Sequence, residues 1–206
     1  MKYIFIAGAP GSKWSSVAKN IYYSPDIDRS DYTEERTYYH DATGKLELMH
    51  CGAYFDPGME SNLPEDFATQ SKQQLEAVFD SAFRPNAQGT RIIKSHIFCD
   101  NLEFLKATWP ECPVVLVYRS DDACLGWWVK CGHFDITYPL YHEYYKDLRT
   151  MAGIIKQQNT GIVNATLSYP GKIPYDNREL CGLLGIEPPE NYGQVYEYAD
   201  IKVVVI

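Results

Sequence analysis

The sequence predicts an α/β protein, a three-layer α/β/α domain built on a mostly parallel central sheet. Three observations carry that expectation. Short apolar runs rich in β-branched and aromatic residues, at 2–7 and 114–118, are bounded by turn residues and read as buried strands. Segments with apolar residues at helical spacing alternate with such runs, the order that covers both faces of a parallel sheet. The chain has 206 residues, enough for one three-layer core, so 1–206 is expected to be a single domain.

Composition narrows the function classes. A net charge of −8 argues against a nucleic-acid partner, which needs a broad basic surface. No apolar stretch has membrane-spanning length, and the first apolar run is too short for a signal peptide. A cytoplasmic setting without a membrane partner is therefore expected. Cys51, Cys99, Cys112, Cys124, Cys131 and Cys181 are scattered without a C-x-x-C pair, which suits reduced thiols. Cys131 with His133, and His50 with Cys51, lack the spacing of a zinc finger, and no metal is expected.

The first strand runs straight into G-A-P-G-S-K-W-S-S at 8–16, and V-A-K-N-I-Y-Y follows with helical spacing. A strand, a small-residue turn and a helix in that order suit an anion, because the first amides of a helix lack intrahelical acceptors and its dipole favours negative charge. Gly8 and Gly11 let the backbone approach a phosphate, Lys13 adds a full charge, and Ser12, Ser15 and Ser16 offer hydroxyls. The spacing departs from G-x-x-x-x-G-K-[ST], since Trp14 stands between Lys13 and Ser15. A tight turn with an N-cap serine would produce the same pattern.

Residues 26–63 read as a loop or hairpin insertion, with Thr43-Gly44-Lys45 between two short extended runs. Its aromatics, Tyr32, Tyr38, Tyr39, Tyr54 and Phe55, either line an acceptor pocket or anchor the loop to the core. A helix is predicted from Pro64 to about Phe83 and a second strand over 91–97. Asp100-Asn101 is placed to cap a helix that Pro110 stops. The strand 114–118 ends at Arg119, and a helix is expected from Asp121 or Asp122 to Lys130. Further elements are a helix over 139–158, a strand over 161–166, a short helix over 178–184 ended by Gly185, and a terminal strand over 201–206. Lys13, His96 and Arg119 thus fall at or just after strand ends, where parallel sheets bind ligands.

The stretches A-P-G-S-K-W-S-S (9–16), I-I-K-S-H-I-F (92–98) and V-V-L-V-Y-R-S-D-D-A-C-L-G-W-W (114–128) resemble, in this order, the sulfotransferases that use 3′-phosphoadenosine 5′-phosphosulfate, PAPS. The resemblance implies a P-loop-type fold and PAPS as co-substrate. It matches Pro10 and Ser12 to the family's phosphate loop and Lys94-Ser95-His96 to the strand that carries its general base. Arg119 matches the arginine that grips the donor's 3′-phosphate. E-L-C-G-L-L-G at 179–185 is similar to a late helix of the family. Gly11 stands where the family has a basic residue, Lys13 where it has glycine, and Gly126 or Trp127 where it has a 3′-phosphate-binding serine. No R-K-G motif follows. A compact, divergent member is implied.

The chemistry suits these residues. Sulfuryl transfer asks the protein to position reactants and to stabilise charge on the departing phosphate. His96 is the candidate base for a hydroxyl or amine acceptor on a small molecule or glycan, with Lys13 and Lys94 as catalytic cations. Lys94 equally fits a solvent-facing strand end. Pro10, Gly11, Ser12, Lys13, Trp14, Ser15, Ser16 and Arg119 form the expected nucleotide site, Trp14 either stacking on adenine or packing the loop. Two alternatives stay open: a P-loop kinase of a small metabolite or nucleoside using ATP and magnesium, motivated by Lys13 and Ser15, and a nucleotide-binding relative without turnover.

Overall fold

A computed structural model describes residues 1–31, 39–40, 47–48, 51–55, 66–130, 145–190 and 200–206. In chain order its regular elements begin with β1 (Tyr3–Gly8), α1 (Trp14–Tyr22), β2 (Tyr39–His40), β3 (Glu47–Leu48) and β4 (Ala53–Tyr54). A 3-10 turn at Phe67–Thr69 precedes α2 (Lys72–Asp80) and β5 (Arg91–Lys94). A second 3-10 turn, His96–Asp100, leads to α3 (Leu102–Thr108), β6 (Val114–Arg119) and α4 (Asp121–Lys130). Last come α5 (Leu148–Ser168), α6 (Asn177–Leu184) and β7 (Ile201–Val205).

The protein is α/β. Its main sheet has the order β4-β5-β1-β6-β7, parallel throughout except that β7 runs antiparallel to β6. All of β1 is buried, because it has a parallel partner on each side and a helical layer over each face. The period-two alternation of its side chains splits the core. Tyr3, Phe5 and Ala7 join the layer of α2, α3 and α5, where Phe5 meets Phe98 edge to face at 5.6 Å and Trp109 at 5.2 Å. Ile4 and Ile6 face α1 and α6 through Val17, Ile21, Leu180 and Leu184. Each such buried apolar side chain contributes about 1.5–3 kcal/mol.

The structure departs from the sequence reading at several places. Residues 161–166 are the last turns of α5 and not a strand, and Met151, Ile155, Ile162 and Ala165 form its buried stripe. A Cβ at Gly161 would lie 2.0 Å from the Cys99 carbonyl oxygen, so this glycine permits a close helix approach and does not mark a break. Of the helix expected from Pro64, 64–65 lie outside the described residues, Phe67–Thr69 is only a 3-10 turn, and α2 starts afresh on a capping box. The Gln74 amide donates to Ser71 Oγ at 3.3 Å and the Ser71 amide to Gln74 Oε1 at 3.0 Å. Strand β5 stops at Lys94, so His96 opens a 3-10 turn capped by Ser95. Within 26–63, Ala53–Tyr54 is the edge strand β4 of the main sheet rather than loop, whereas the extended runs expected on either side of 43–45 do pair antiparallel, as β2 and β3.

The helix expected over 139–158 starts late, as α5 at the Asp147 cap: residues 145–147 are not helical, and 139–144 lie outside the described residues. So do Tyr32, Tyr38, His133 and His142, and the side chain of Tyr39. Tyr54 and Phe55 are buried and hold their segment on the core. Cys51, Cys99, Cys112, Cys124 and Cys181 are free thiols. No helix among the described residues is long and apolar enough to cross a membrane.

Candidate functional site

The helix that leaves β1 covers one face of the sheet, whereas the segments that leave β5 pack on the other. In open α/β sheets ligands bind where neighbouring strands diverge in this way, beyond their carboxyl ends, and the loop after β1 lies at that end. The Ser12 amide donates to the Ala9 carbonyl at 3.0 Å, closing a turn around buried Pro10. Gly11 has φ 79° and presses on α4, where a Cβ would come within 2.1 Å of the Cys124 carbonyl oxygen. Lys13 then takes the left-handed conformation, φ 63° and ψ 23°, at the N-cap of α1. For a residue with a Cβ this costs about 1–2 kcal/mol. Its side chain makes no capping hydrogen bond to the helix.

Beneath the loop lies a buried polar cluster. His96 is 3% exposed, and its Nδ1–H donates to the Gly8 carbonyl. Since that carbonyl only accepts, Nδ1 carries a proton, and in the neutral ring the lone pair is then on Nε2. The imidazole stacks on Trp14 at 4.1 Å and meets Tyr54 edge-on at 5.7 Å. Lys94 is fully buried, with Nζ 5.6 Å from the Trp14 ring centre and 5.7 Å from that of Tyr54. Among the described residues that ammonium has no hydrogen-bond partner, and neither does the Oγ of fully buried Ser12.

Charge in this cluster is held against solvation. Burial pushes the Lys94 ammonium down to about 8, opposed by Cys51 and Asp31. Burial pushes the Asp31 carboxyl up to about 6, although Tyr22 donates to its Oδ1 at 3.1 Å. The Cys51 thiol is likewise pushed up to about 11 by burial. Asp31 and Lys94 influence one another without sharing a hydrogen bond, and among the described residues Asp31 Oδ2 is unpartnered too. Buried polar groups left without partners are rare and point to a ligand, a water or a functional role.

Above the loop stands a second cluster. Arg119, 7% exposed at the end of β6, donates from Nη1 to the Gly11 carbonyl at 3.0 Å. Its Nε donates to Asp200 Oδ2 at 2.6 Å, and Nη2 lies 2.6 Å from the same oxygen. Lys13 Nζ approaches Asp200 Oδ1 at 3.8 Å. The half-buried Trp127 indole has Lys13 at 4.9 Å, Arg119 at 5.8 Å and Lys130 at 5.6 Å from its ring centre. Burial raises the Asp200 carboxyl, but Arg119 and Lys13 outweigh it and hold the group below the usual range. Asn159, buried on α5, donates to the Arg119 carbonyl at 2.8 Å and to Asp121 Oδ1 at 2.6 Å.

The structure brings Ser12, Lys13, His96 and Arg119 onto one loop. Lys94 is not a solvent-facing strand end, because its strand position points it inward beneath Trp14. Trp14 is 4% exposed and packs between loop and core; its ring is taken by His96. Ser15 and Ser16 sit part-exposed on the first turn of α1, where the Ser16 amide donates to the Lys13 carbonyl at 3.0 Å. The sequence reading missed Asp31 and Asp200, and it named Tyr54 only as an aromatic of the insertion and Trp127 only as a lost serine position. A groove of about 490 Å³ between the start of α3 and α5, lined by Asp100, Phe104, Gln157 and Tyr169 among others, includes no residue of the loop. No protein-family model, curated protein or solved structure matches the chain.

Proposed function

We propose that the chain is a sulfotransferase-like enzyme of P-loop type that moves a sulfuryl group from PAPS to a hydroxyl or amine. The observation that carries the reading is the convergence of cations and unpartnered donors on one helix-capping loop. Lys13, Arg119 and Ser12 meet at the loop, with buried Lys94 beneath it. Ser12 Oγ and Lys94 Nζ, which have no hydrogen-bond partner among the described residues, together with the neighbouring charges of Lys13 and Arg119, suit a polyanion. PAPS supplies the activated sulfuryl group and a leaving phosphate.

The chain's own residues have distinct tasks in this reading. Lys13 and the first amides of α1 hold the leaving phosphate. Arg119 takes the 3′-phosphate through its planar fork. His96, with its lone pair on Nε2, accepts the proton of the acceptor hydroxyl as the bond from acceptor oxygen to sulfur forms and the bond from sulfur to phosphate oxygen breaks. The thermal shift with adenosine 3′,5′-bisphosphate should exceed that with ADP or ATP. Equal shifts, or none, would remove the basis of the assignment. His96→Ala is expected to abolish turnover while bisphosphate affinity persists.

One observation favours a second reading, nucleotide binding without turnover. Gly11 occupies the position of the family's charge-stabilising basic residue, and the Cys124 carbonyl leaves no room for a side chain there. Bisphosphate affinity without transfer to any of a broad acceptor panel would select it.

A further inference from the structure

Asp200 already occupies the place where an anion would sit. Its carboxylate is bound to Arg119 through Nε at 2.6 Å and lies 3.8 Å from the Lys13 ammonium. Both cations border the loop, Arg119 through its bond to the Gly11 carbonyl and Lys13 as the N-cap of α1. The arrangement is anchored by the sheet. Ile201, the first residue of β7, pairs with Arg119, the last of β6, so the ladder delivers the preceding residue to the guanidinium. Yet the Asp200 side chain is 44% exposed, against 9% for that of Arg119. The acid can swing into solvent by rotating its own bonds, whereas the arginine is held in place.

We propose that Asp200 is a built-in competitor for phosphate or sulfate groups at the mouth of the loop, and that it sets the anion affinity of the site. A ligand bearing such a group must displace the carboxylate from Arg119 and Lys13 before it gains their charge. Its apparent affinity is therefore reduced by the fraction of molecules in which the carboxylate is in place. The competitor also selects among ligands. A weak monoanion fails to displace it, whereas a ligand that spans loop and guanidinium with two anionic groups succeeds. The inference rests on the reading that this loop accepts an anionic ligand.

The test is calorimetric titration of wild type, Asp200→Asn and Asp200→Ser at low salt, with two probes used separately: adenosine 3′,5′-bisphosphate and inorganic pyrophosphate. Removing one negative charge a few ångströms from the bound anion should tighten binding at least about tenfold in both variants. The serine variant stands in should the asparagine variant fold poorly. Bisphosphate binding that is equally tight in wild type and variants overturns the competitor and leaves the nucleotide reading intact. A gain confined to pyrophosphate, with no bisphosphate binding in any protein, supports the competitor and removes the nucleotide reading. Absence of binding by every protein to both probes overturns both.

Discussion

Lys94 is the residue whose placement asks most of the fold. A fully buried ammonium without a hydrogen-bond partner among the described residues is a standing penalty. Its folded pKa, about 8, lies below the unfolded 10.5. Stability from this group is therefore present above 10.5 and lost as the pH falls through 8. Asp31 acts in the opposite sense, since its folded value of about 6 exceeds 3.8: its contribution is present below 3.8 and lost as the pH rises through 6. The wild-type protein thus carries both penalties between about pH 6 and 8. Lys94→Met should raise unfolding stability at pH 7 by on the order of 3 kcal/mol, less the attraction that Asp31 loses. It should also flatten the rise in stability between pH 8 and 10.5. Urea titrations at pH 7 and 10 check both, and a destabilised variant at pH 7 would show that the ammonium has a compensating partner. A gain in stability joined to a loss of anion binding would mark Lys94 as retained for function.

At the scale of elements, α5 shows what separates legible from illegible sequence. Gly161-Ile162-Val163 looks like the start of a strand because β-branched residues follow a glycine, and the packing that makes this glycine helical comes from Cys99, far away in sequence. Gly161→Ala should cost about 1–3 kcal/mol by forcing α5 off the 3-10 turn. Gly153→Ala, on the same helix with nothing within 4 Å, should stabilise by up to about 1 kcal/mol. Comparing the two melting temperatures checks the assignment, and similar shifts in both would refute it. Elements with local signals were read well: β1 and β6 from their apolar runs, and α6 from Gly185, which takes the left-handed conformation at its C-cap, φ 66°. Strand β4 escaped because two residues carry no periodicity; its place is set by pairing with Ile93 and Lys94.

For the whole molecule, alternation of strands and helices was enough to give an α/β sheet, and strand ends were enough to indicate Lys13, His96 and Arg119. The acids that answer those cations were not readable, because their partners are remote: Asp200 meets Arg119 across 81 residues. The antiparallel turn of the last strand was hidden for the same reason. Strand β7 covers β6, whose Val115 and Val117 are fully buried. Deleting residues 200–206 would leave an apolar, unpaired edge at β6. Such a protein should lose its cooperative melt and scatter light on heating, and a cleanly melting monomer would contradict the role assigned to β7.

The position of β7 in the chain also bears on biogenesis. Translation delivers β1, β5 and β6 before it delivers residue 200, so a nascent polypeptide holds its strand-end cations before the Asp200 counter-charge exists. The segment that finishes the sheet also brings that counter-charge. Among the described strands of the sheet, the one that brings this counter-charge is the last to leave the ribosome.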